Sequence, residues 1–298
     1  MKKQFHILFI LVATLCSFTN NAQKKNPIVA SKAEVKLAAT GFKFTEGPAV
    51  ALDGRVYFTD QPNDKIYIWD EKKGLSLYLE GTGRSNGMYF NKQGLLVTCA
   101  DEKNQLGYFN ENKKLIIIHE GYENKHLNGP NDLWIDPQGG IYFTDPYYKR
   151  SWWGKDHKEI QDTQAVYYLS PEKEIKQVIK DFQKPNGLIG TPDGKTLYVA
   201  DIKADKTWKY TMEPDGTLSQ KTFFAPHGSD GMTIDHKGNI YLTSDKIWVY
   251  NPKGALIKEI ETPEKPANIC FGGKKRNVLF ITARTSVYTL KMKVKGVN

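Results

Sequence analysis

Five side chains that could bind a cation through oxygen recur at one position of a sixfold sequence repeat. Each copy begins with this residue, usually followed by Gly and an apolar residue, and then by a turn and a β-rich run such as Tyr-Phe-Thr-Asp. The residues at this first position, called position 1 below, are Glu46, Asn86, Asn131, Asn186, Asp230 and Ala267. A purely structural repeat gives no reason for oxygen donors at five of six equivalent places.

Four of these residues form a hard donor set made only of oxygen. Glu46 and Asp230 supply carboxylates, and Asn131 and Asn186 supply amides. Ca²⁺ takes six to eight oxygen ligands, and the absence of His and Cys from position 1 argues against zinc, copper and nickel. Asn-Gly and Asp-Gly are also common turn dipeptides, but their repetition at one position favours a site for Ca²⁺ or another divalent cation.

The spacing of the copies predicts the architecture that must bring these residues together. They follow one another at intervals of roughly 40–55 residues, which is typical of propeller blades. Alternating apolar residues and Asp-Gly turns indicate short strands in hairpins. We therefore predict an all-β, six-bladed β-propeller over residues 34–298, closed by an N-terminal strand at residues 35–37 that pairs in the last blade.

The N-terminus has the pattern of an export signal. Lys2 and Lys3 precede an apolar stretch at residues 5–15, and a small residue, Ala22, offers a cleavage site. We predict a signal peptide at residues 1–22, a flexible leader at 23–33, and an exported protein that is periplasmic or secreted. Leu15 stands before Cys16, where a lipoprotein requires a small residue, so lipidation is not expected.

Composition excludes several classes of function. The net charge of +9 is spread over turns, without the basic stripe and interleaved aromatics that nucleic acid requires. After the signal, no apolar run is long enough for a membrane helix. Cys99 and Cys270 lie in different repeats, so we expect two free thiols.

The chain resembles the SMP-30/gluconolactonase/LRE family. The motifs that carry the resemblance are Phe-Thr-Glu-Gly-Pro at 44–48, Leu-Asn-Gly-Pro-Asn-Asp-Leu at 127–133, Tyr-Phe-Thr-Asp-Pro at 142–146, Lys-Pro-Asn-Gly-Leu at 184–188 and Ser-Asp-Gly-Met at 229–232. The resemblance implies a calcium propeller in which Glu46, Asn131, Asn186 and Asp230 hold the ion. It also implies hydrolysis of a sugar lactone, with relatives that act on other lactones or on phosphotriester-like compounds.

This chemistry assigns roles to individual residues. A cation polarises the lactone carbonyl, and a carboxylate activates water, for which we prefer Asp230 over Glu46. Asp132 is either structural or in the outer coordination sphere, His227 is expected to be an ordinary loop residue, and Asp60 and Asp145 are expected to bind turn backbones. The predicted substrate contacts are Asn86, Arg84, Asn131 and His126.

Blade three contains an insertion at residues 147–164 that is rich in aromatic residues. It is either a substrate lid or a loop that packs on the blade edge. The expected partner is a small lactone, with no obligate protein partner. Two alternatives stay open: hydrolysis of another lactone or an organophosphate ester at the same site, and a binding module that uses calcium only for structure.

Overall fold

The computed structural model describes residues 27–297, which form 26 β-strands and one short 3₁₀ helix, Gln61–Asn63. Twenty-four strands form six antiparallel sheets of four, and the remaining two form a hairpin. The six sheets confirm the predicted all-β, six-bladed propeller. The predicted signal peptide, Cys16 and the cleavage site after Ala22 lie outside the described residues.

The strands follow the repeat closely. Blade one contains β2 (Thr45–Val50), β3 (Val56–Asp60), β4 (Lys65–Asp70) and β5 (Gly74–Glu80). Blade two contains β6 (Ser85–Phe90), β7 (Leu96–Ala100), β8 (Gln105–Phe109) and β9 (Leu115–His119), and the hairpin of β10 (Gly121–Tyr122) and β11 (Lys125–His126) follows it. Blade three contains β12 (Leu133–Ile135), β13 (Ile141–Asp145), β14 (Ala165–Leu169) and β15 (Ile175–Ile179). Blade four contains β16 (Pro185–Gly190), β17 (Thr196–Asp201), β18 (Lys206–Met212) and β19 (Leu218–Ala225). Blade five contains β20 (Met232–Ile234), β21 (Ile240–Thr243), β22 (Ile247–Tyr250) and β23 (Leu256–Ile260).

The sixth blade combines both ends of the described chain. It contains β24 (Asn268–Gly272), β25 (Val278–Ala283) and β26 (Ser286–Lys291), and β1 (Lys36–Thr40) pairs with β26 as its outermost strand. Lys36 lies opposite Thr289, so the paired segment begins one residue after the predicted start. Ile28 is buried and Val29 bridges to Met292, so residues 27–33 of the predicted leader are packed against this blade.

The apolar residues of the repeat build the core between blades. Phe58, Phe143, Tyr241 and Phe280, each on the second strand of its blade, are fully buried. Cys99 and Cys270 are buried free thiols, as expected from their separation in the sequence. No helix within residues 27–297 is long and apolar enough to cross a bilayer.

The innermost strands converge so closely that the second residue of most copies must be Gly. A Cβ on Gly47 would lie 1.9 Å from the Asn86 carbonyl oxygen, and one on Gly231 would lie 1.9 Å from the Asn268 amide carbon. Gly87 donates its N–H to the Asn131 carbonyl at 2.8 Å. The glycine of one blade thus allows the next blade's site residue to approach the channel.

Replacing Gly47 with Ala should therefore destabilise the propeller well beyond the backbone cost of its positive φ of 46°. Gly74→Ala is the matched control, because Gly74 also has a positive φ but a Cβ there would have no other atom within 4 Å. We expect Gly47→Ala to lose about 2 kcal/mol more free energy of unfolding than Gly74→Ala in urea titrations. Equal losses would contradict the tight convergence of the inner strands.

Candidate functional site

The position 1 residues converge at one end of the central channel. Glu46, Asn86, Asn131 and Asn186 are buried and Asp230 is half-buried. The Asn186 amide nitrogen donates to Asp230 Oδ1 at 2.7 Å and to the Tyr148 hydroxyl at 3.1 Å. The structure thus brings Asn186 and Asp230 into direct contact and places Glu46 near enough to Asp230 for their charges to interact. Asn86 and Asn131 belong to neighbouring blades, where Gly87 donates its N–H to the Asn131 carbonyl at 2.8 Å.

Two amide oxygens of this group are buried without a hydrogen-bond partner among the described residues. They are Oδ1 of Asn186 and Oδ1 of Asn86. A buried acceptor without a partner costs roughly 1–3 kcal/mol, so such an atom usually has an ion or ligand to bind. Both oxygens are hard donors of the type that Ca²⁺ or Mg²⁺ prefers, so the residues present fit a divalent cation.

The carboxylates of this site repel one another in a buried environment. Burial raises the pKa of Glu46 well above its usual range, and the Asp230 carboxylate raises it further. Burial also raises the pKa of Asp230 to about 6, although Lys265 opposes this shift. Within residues 27–297, His, Cys, Asp and Glu alone form no group of three able to hold a metal, so the amides are needed to complete a donor set.

Buried aspartates fix the backbone that leads into three of these ligands. Asp60 accepts the N–H groups of Lys43 and Phe44, both at 3.1 Å. Asp145 accepts those of Asn128 and Gly129, at 2.9 and 2.8 Å. The predicted turn-binding role of these two aspartates is confirmed.

Blade four repeats the arrangement with Asp201, which accepts the N–H groups of Gln183 and Lys184 at 2.8 and 3.0 Å. In each blade the bonded groups lie two and three residues before position 1. The aspartates therefore position Glu46, Asn131 and Asn186 without touching the site.

A threonine on the second strand of three blades hydrogen-bonds to the backbone just after position 1. Thr144 Oγ1 accepts the N–H of Asp132 at 3.1 Å, and Thr243 Oγ1 accepts the N–H of Gly231 at 2.9 Å. Thr282 Oγ1 accepts the N–H of Asn268 at 3.0 Å. The second strand of each of these blades thus fixes the residue next to position 1.

Asn268 is a site residue that the sequence analysis missed. Its side-chain amide lowers the pKa of the carboxyl groups of both Glu46 and Asp132, which connects blade six to blades one and three. Burial raises the pKa of Asp132 to about 7, and its Oδ1 accepts the Leu133 N–H at 2.9 Å. The sequence did contain a sign of this role. The residue after position 1 is Gly in four repeats, but it is Asp132 in blade three and Asn268 in blade six.

Two histidines lie away from this group. His126, predicted to contact substrate, is exposed on β11, and its Nδ1 is 3.3 Å from the Glu120 carbonyl. None of its described contacts reaches a position 1 residue, because the β10–β11 hairpin carries it to the surface. His227 stacks on Trp248 with ring centroids 3.9 Å apart, in keeping with an ordinary loop role.

The insertion of blade three packs against blade two and contacts one position 1 residue. Trp153 stacks on His157 at 4.1 Å and donates its indole N–H to the Asp101 carbonyl at 3.2 Å. Tyr148 instead reaches Asn186. The sequence left open whether this loop is a substrate lid or packs on a blade edge. In the structure Trp153 packs on a blade, and Tyr148 contacts a site residue.

The fold and the site together define a class of protein, a six-bladed propeller with oxygen donors at one end of its channel. The family model of the SMP-30/Gluconolactonase/LRE-like region matches residues 44–285. The chain therefore belongs to this family of gluconolactonase-like lactonases.

Individual relatives agree with the family assignment. A gluconolactonase of Zymomonas mobilis is 25% identical over 316 residues, covering 95% of this chain and 88% of the relative. A solved structure of a candidate gluconolactonase is 28% identical, with a TM-score of 0.85 and coverage of 91% of this chain and 96% of the other. A Xanthomonas campestris gluconolactonase shares the fold at 24% identity, with a TM-score of 0.82 over 89% of this chain and 94% of its own.

The anchoring aspartates should give stability a specific pH dependence. Burial raises the pKa of Asp145 to about 7, against the backbone hydrogen bonds of Asn128 and Gly129 that lower it. Its pKa in the unfolded chain is about 3.9, so between these values the folded state binds more protons and stability falls as pH rises.

Because Asn does not titrate, the destabilisation caused by Asp145→Asn should be larger at pH 5 than at pH 8. We expect it to shrink by about 2–3 kcal/mol over this range, measured by urea unfolding at each pH. A penalty that stays constant or grows with pH would show that Asp145 does not have a raised pKa.

Proposed function

We propose that this protein is a calcium-dependent lactonase that hydrolyses a sugar lactone at the channel mouth. The observation that carries the proposal is the set of position 1 oxygens, in which Asn186 Oδ1 is buried beside Asp230 and has no hydrogen-bond partner within residues 27–297. Family membership supports the reaction class, and the all-oxygen donors support Ca²⁺ over softer metals.

Glu46, Asn131, Asn186 and Asp230 would hold the cation. When bound, it supplies Lewis-acid polarisation of the lactone carbonyl. The neighbouring Asn86 has a free buried Oδ1 that can accept a substrate hydroxyl. Arg84, the other predicted substrate contact, packs on Trp152 at 4.6 Å from the ring centroid and donates to the Pro62 carbonyl at 2.7 Å.

Asp230 acts as the base in this proposal. It takes a proton from water as the water oxygen bonds to the carbonyl carbon, and the ring C–O bond then breaks. The proton passes to the departing ring oxygen, which gives the open-chain hydroxy acid. Asn186 orients Asp230 by donating to its Oδ1 at 2.7 Å, and Glu46 is the competing base.

Asp230→Asn should lower kcat at least about 100-fold and weaken calcium binding, because it removes a base and a charged ligand. Initial rates on D-glucono-1,5-lactone in a pH-stat and calcium titration by calorimetry measure the two effects. Glu259→Gln, on the outer strand of the same blade, is the control and should change neither. Full activity in chelated, metal-free protein would contradict the proposal.

Tyr148→Phe tests whether the insertion acts on the site. Loss of the hydroxyl removes one acceptor from the Asn186 amide, and we expect kcat/KM to fall about two- to tenfold. Tyr147→Phe is the matched control, because the Tyr147 hydroxyl donates to the His157 carbonyl within the loop. The same loss in both variants would mean that the loop contributes only packing.

We also propose that the protein is exported, on the basis of the charged and apolar pattern of residues 1–22. Amino-terminal sequencing of the protein recovered from periplasm and medium tests this. Recovery of the uncleaved chain only in the cytoplasm would contradict it.

A further inference from the structure

A second regularity of the repeat lies two residues before position 1. In blades two, four and six this residue is Arg84, Lys184 and Lys265. In blades one, three and five it is Phe44, Gly129 and Gly228. Cationic side chains therefore alternate around the same end of the channel as the candidate metal ligands.

Two of these cations, Arg84 and Lys184, pack on aromatic rings of the blade three insertion and form a continuous row with Arg150. The Arg84 guanidinium lies 4.6 Å from the Trp152 ring centroid, and the Arg150 guanidinium lies 5.6 Å from the same ring. Arg150 also lies 5.3 Å from the Tyr148 ring, and the Lys184 ammonium lies 4.3 Å from that ring. Because the Tyr148 hydroxyl contacts Asn186, this row passes directly beside the site.

Most of these charges have no close counter-ion. Arg150 is neutralised by the buried Asp101 at 2.6 Å, but Arg84 Nε is 4.0 Å from Glu102. Lys184 and Lys265 form no salt bridge within residues 27–297.

Lys265 and Arg150 both lower the pKa of Asp230, so their charges reach this carboxylate. Once a divalent cation balances Glu46 and Asp230, the cations at the rim are left facing the substrate. A positive rim around a half-enclosed site attracts anions and favours those that reach it.

We propose that the preferred substrate is a sugar lactone with an anionic group, a carboxylate or a phosphate, which Lys184 and Lys265 bind while the lactone carbonyl faces the position 1 oxygens. This inference rests on the lactonase function proposed above. The rings of Tyr148 and Trp152 can pack on the apolar face of the sugar, and the cations select the charge at its far end.

Two lactones that differ only in charge test this directly. D-glucono-1,4-lactone carries a terminal hydroxymethyl group, whereas D-glucaro-1,4-lactone carries a carboxylate at the same carbon. With calcium present, kcat/KM should be at least about tenfold higher for the glucarolactone at low salt, and the preference should shrink in about 0.5 M NaCl. Comparing 6-phosphoglucono-1,5-lactone with glucono-1,5-lactone distinguishes a phosphate from a carboxylate as the favoured anion.

Substitutions assign the preference to the rim. Lys184→Met and Lys265→Met should each lower the ratio of anionic to neutral kcat/KM about three- to fivefold. Lys184→Arg should retain the ratio, because it keeps the charge. Lys253→Met, in an exposed turn between β22 and β23, is the control and should leave both rates unchanged.

The outcomes separate this inference from the lactonase proposal. If neutral lactones are hydrolysed as well as anionic ones, and the ratio does not respond to Lys184→Met, the inference is wrong and the lactonase proposal stands. If no lactone is hydrolysed, the lactonase proposal fails, and calorimetric binding of the same pair decides the inference. Equal binding of both lactones would overturn it, and tighter binding of the anionic one that Lys184→Met abolishes would support it.

Discussion

The burial of two carboxylates at one end of the channel is the constraint on which the rest of the site depends. Glu46 and Asp230 come from blades one and five, and neither forms a salt bridge with a described residue. Burial and mutual repulsion raise the pKa of Glu46 and burial raises that of Asp230, so the folded protein carries an electrostatic cost at this point. The divalent cation proposed for this site would remove that cost, and its binding would then stabilise the folded protein.

The propeller keeps these carboxylates together through many contacts that are individually weak. Glycines such as Gly47 let adjacent inner strands approach, and threonines and aspartates of the second strands fix the backbone on either side of position 1. The pattern Tyr-Phe-Thr-Asp is therefore a positioning device: its aromatic residues fill the space between blades, while Thr and Asp hold the neighbouring strand.

The sequence could predict those parts of the site that repeat. Position 1 predicted Glu46, Asn131, Asn186 and Asp230 because each blade places the equivalent residue at the same point of the inner strand. The structure shows Asn186 bonded to Asp230, and Glu46 close enough to Asp230 for their charges to interact. The repeat could not predict contacts that occur in only one blade. Asn268 departs from the repeat, and His126 lies on a two-stranded hairpin that no local pattern predicted. The aromatic insertion was recognised as a possible lid, but the contact of Tyr148 with Asn186 was not predicted.

The most direct test of the central claim is a crystal structure of the protein grown with calcium. The account predicts one ion at the channel mouth, with oxygens of Glu46, Asn131, Asn186 and Asp230 at about 2.3–2.6 Å and the remaining positions open to the channel. An ion bound elsewhere, or a site without an ion in a crystal whose protein hydrolyses lactones at full rate, would contradict it.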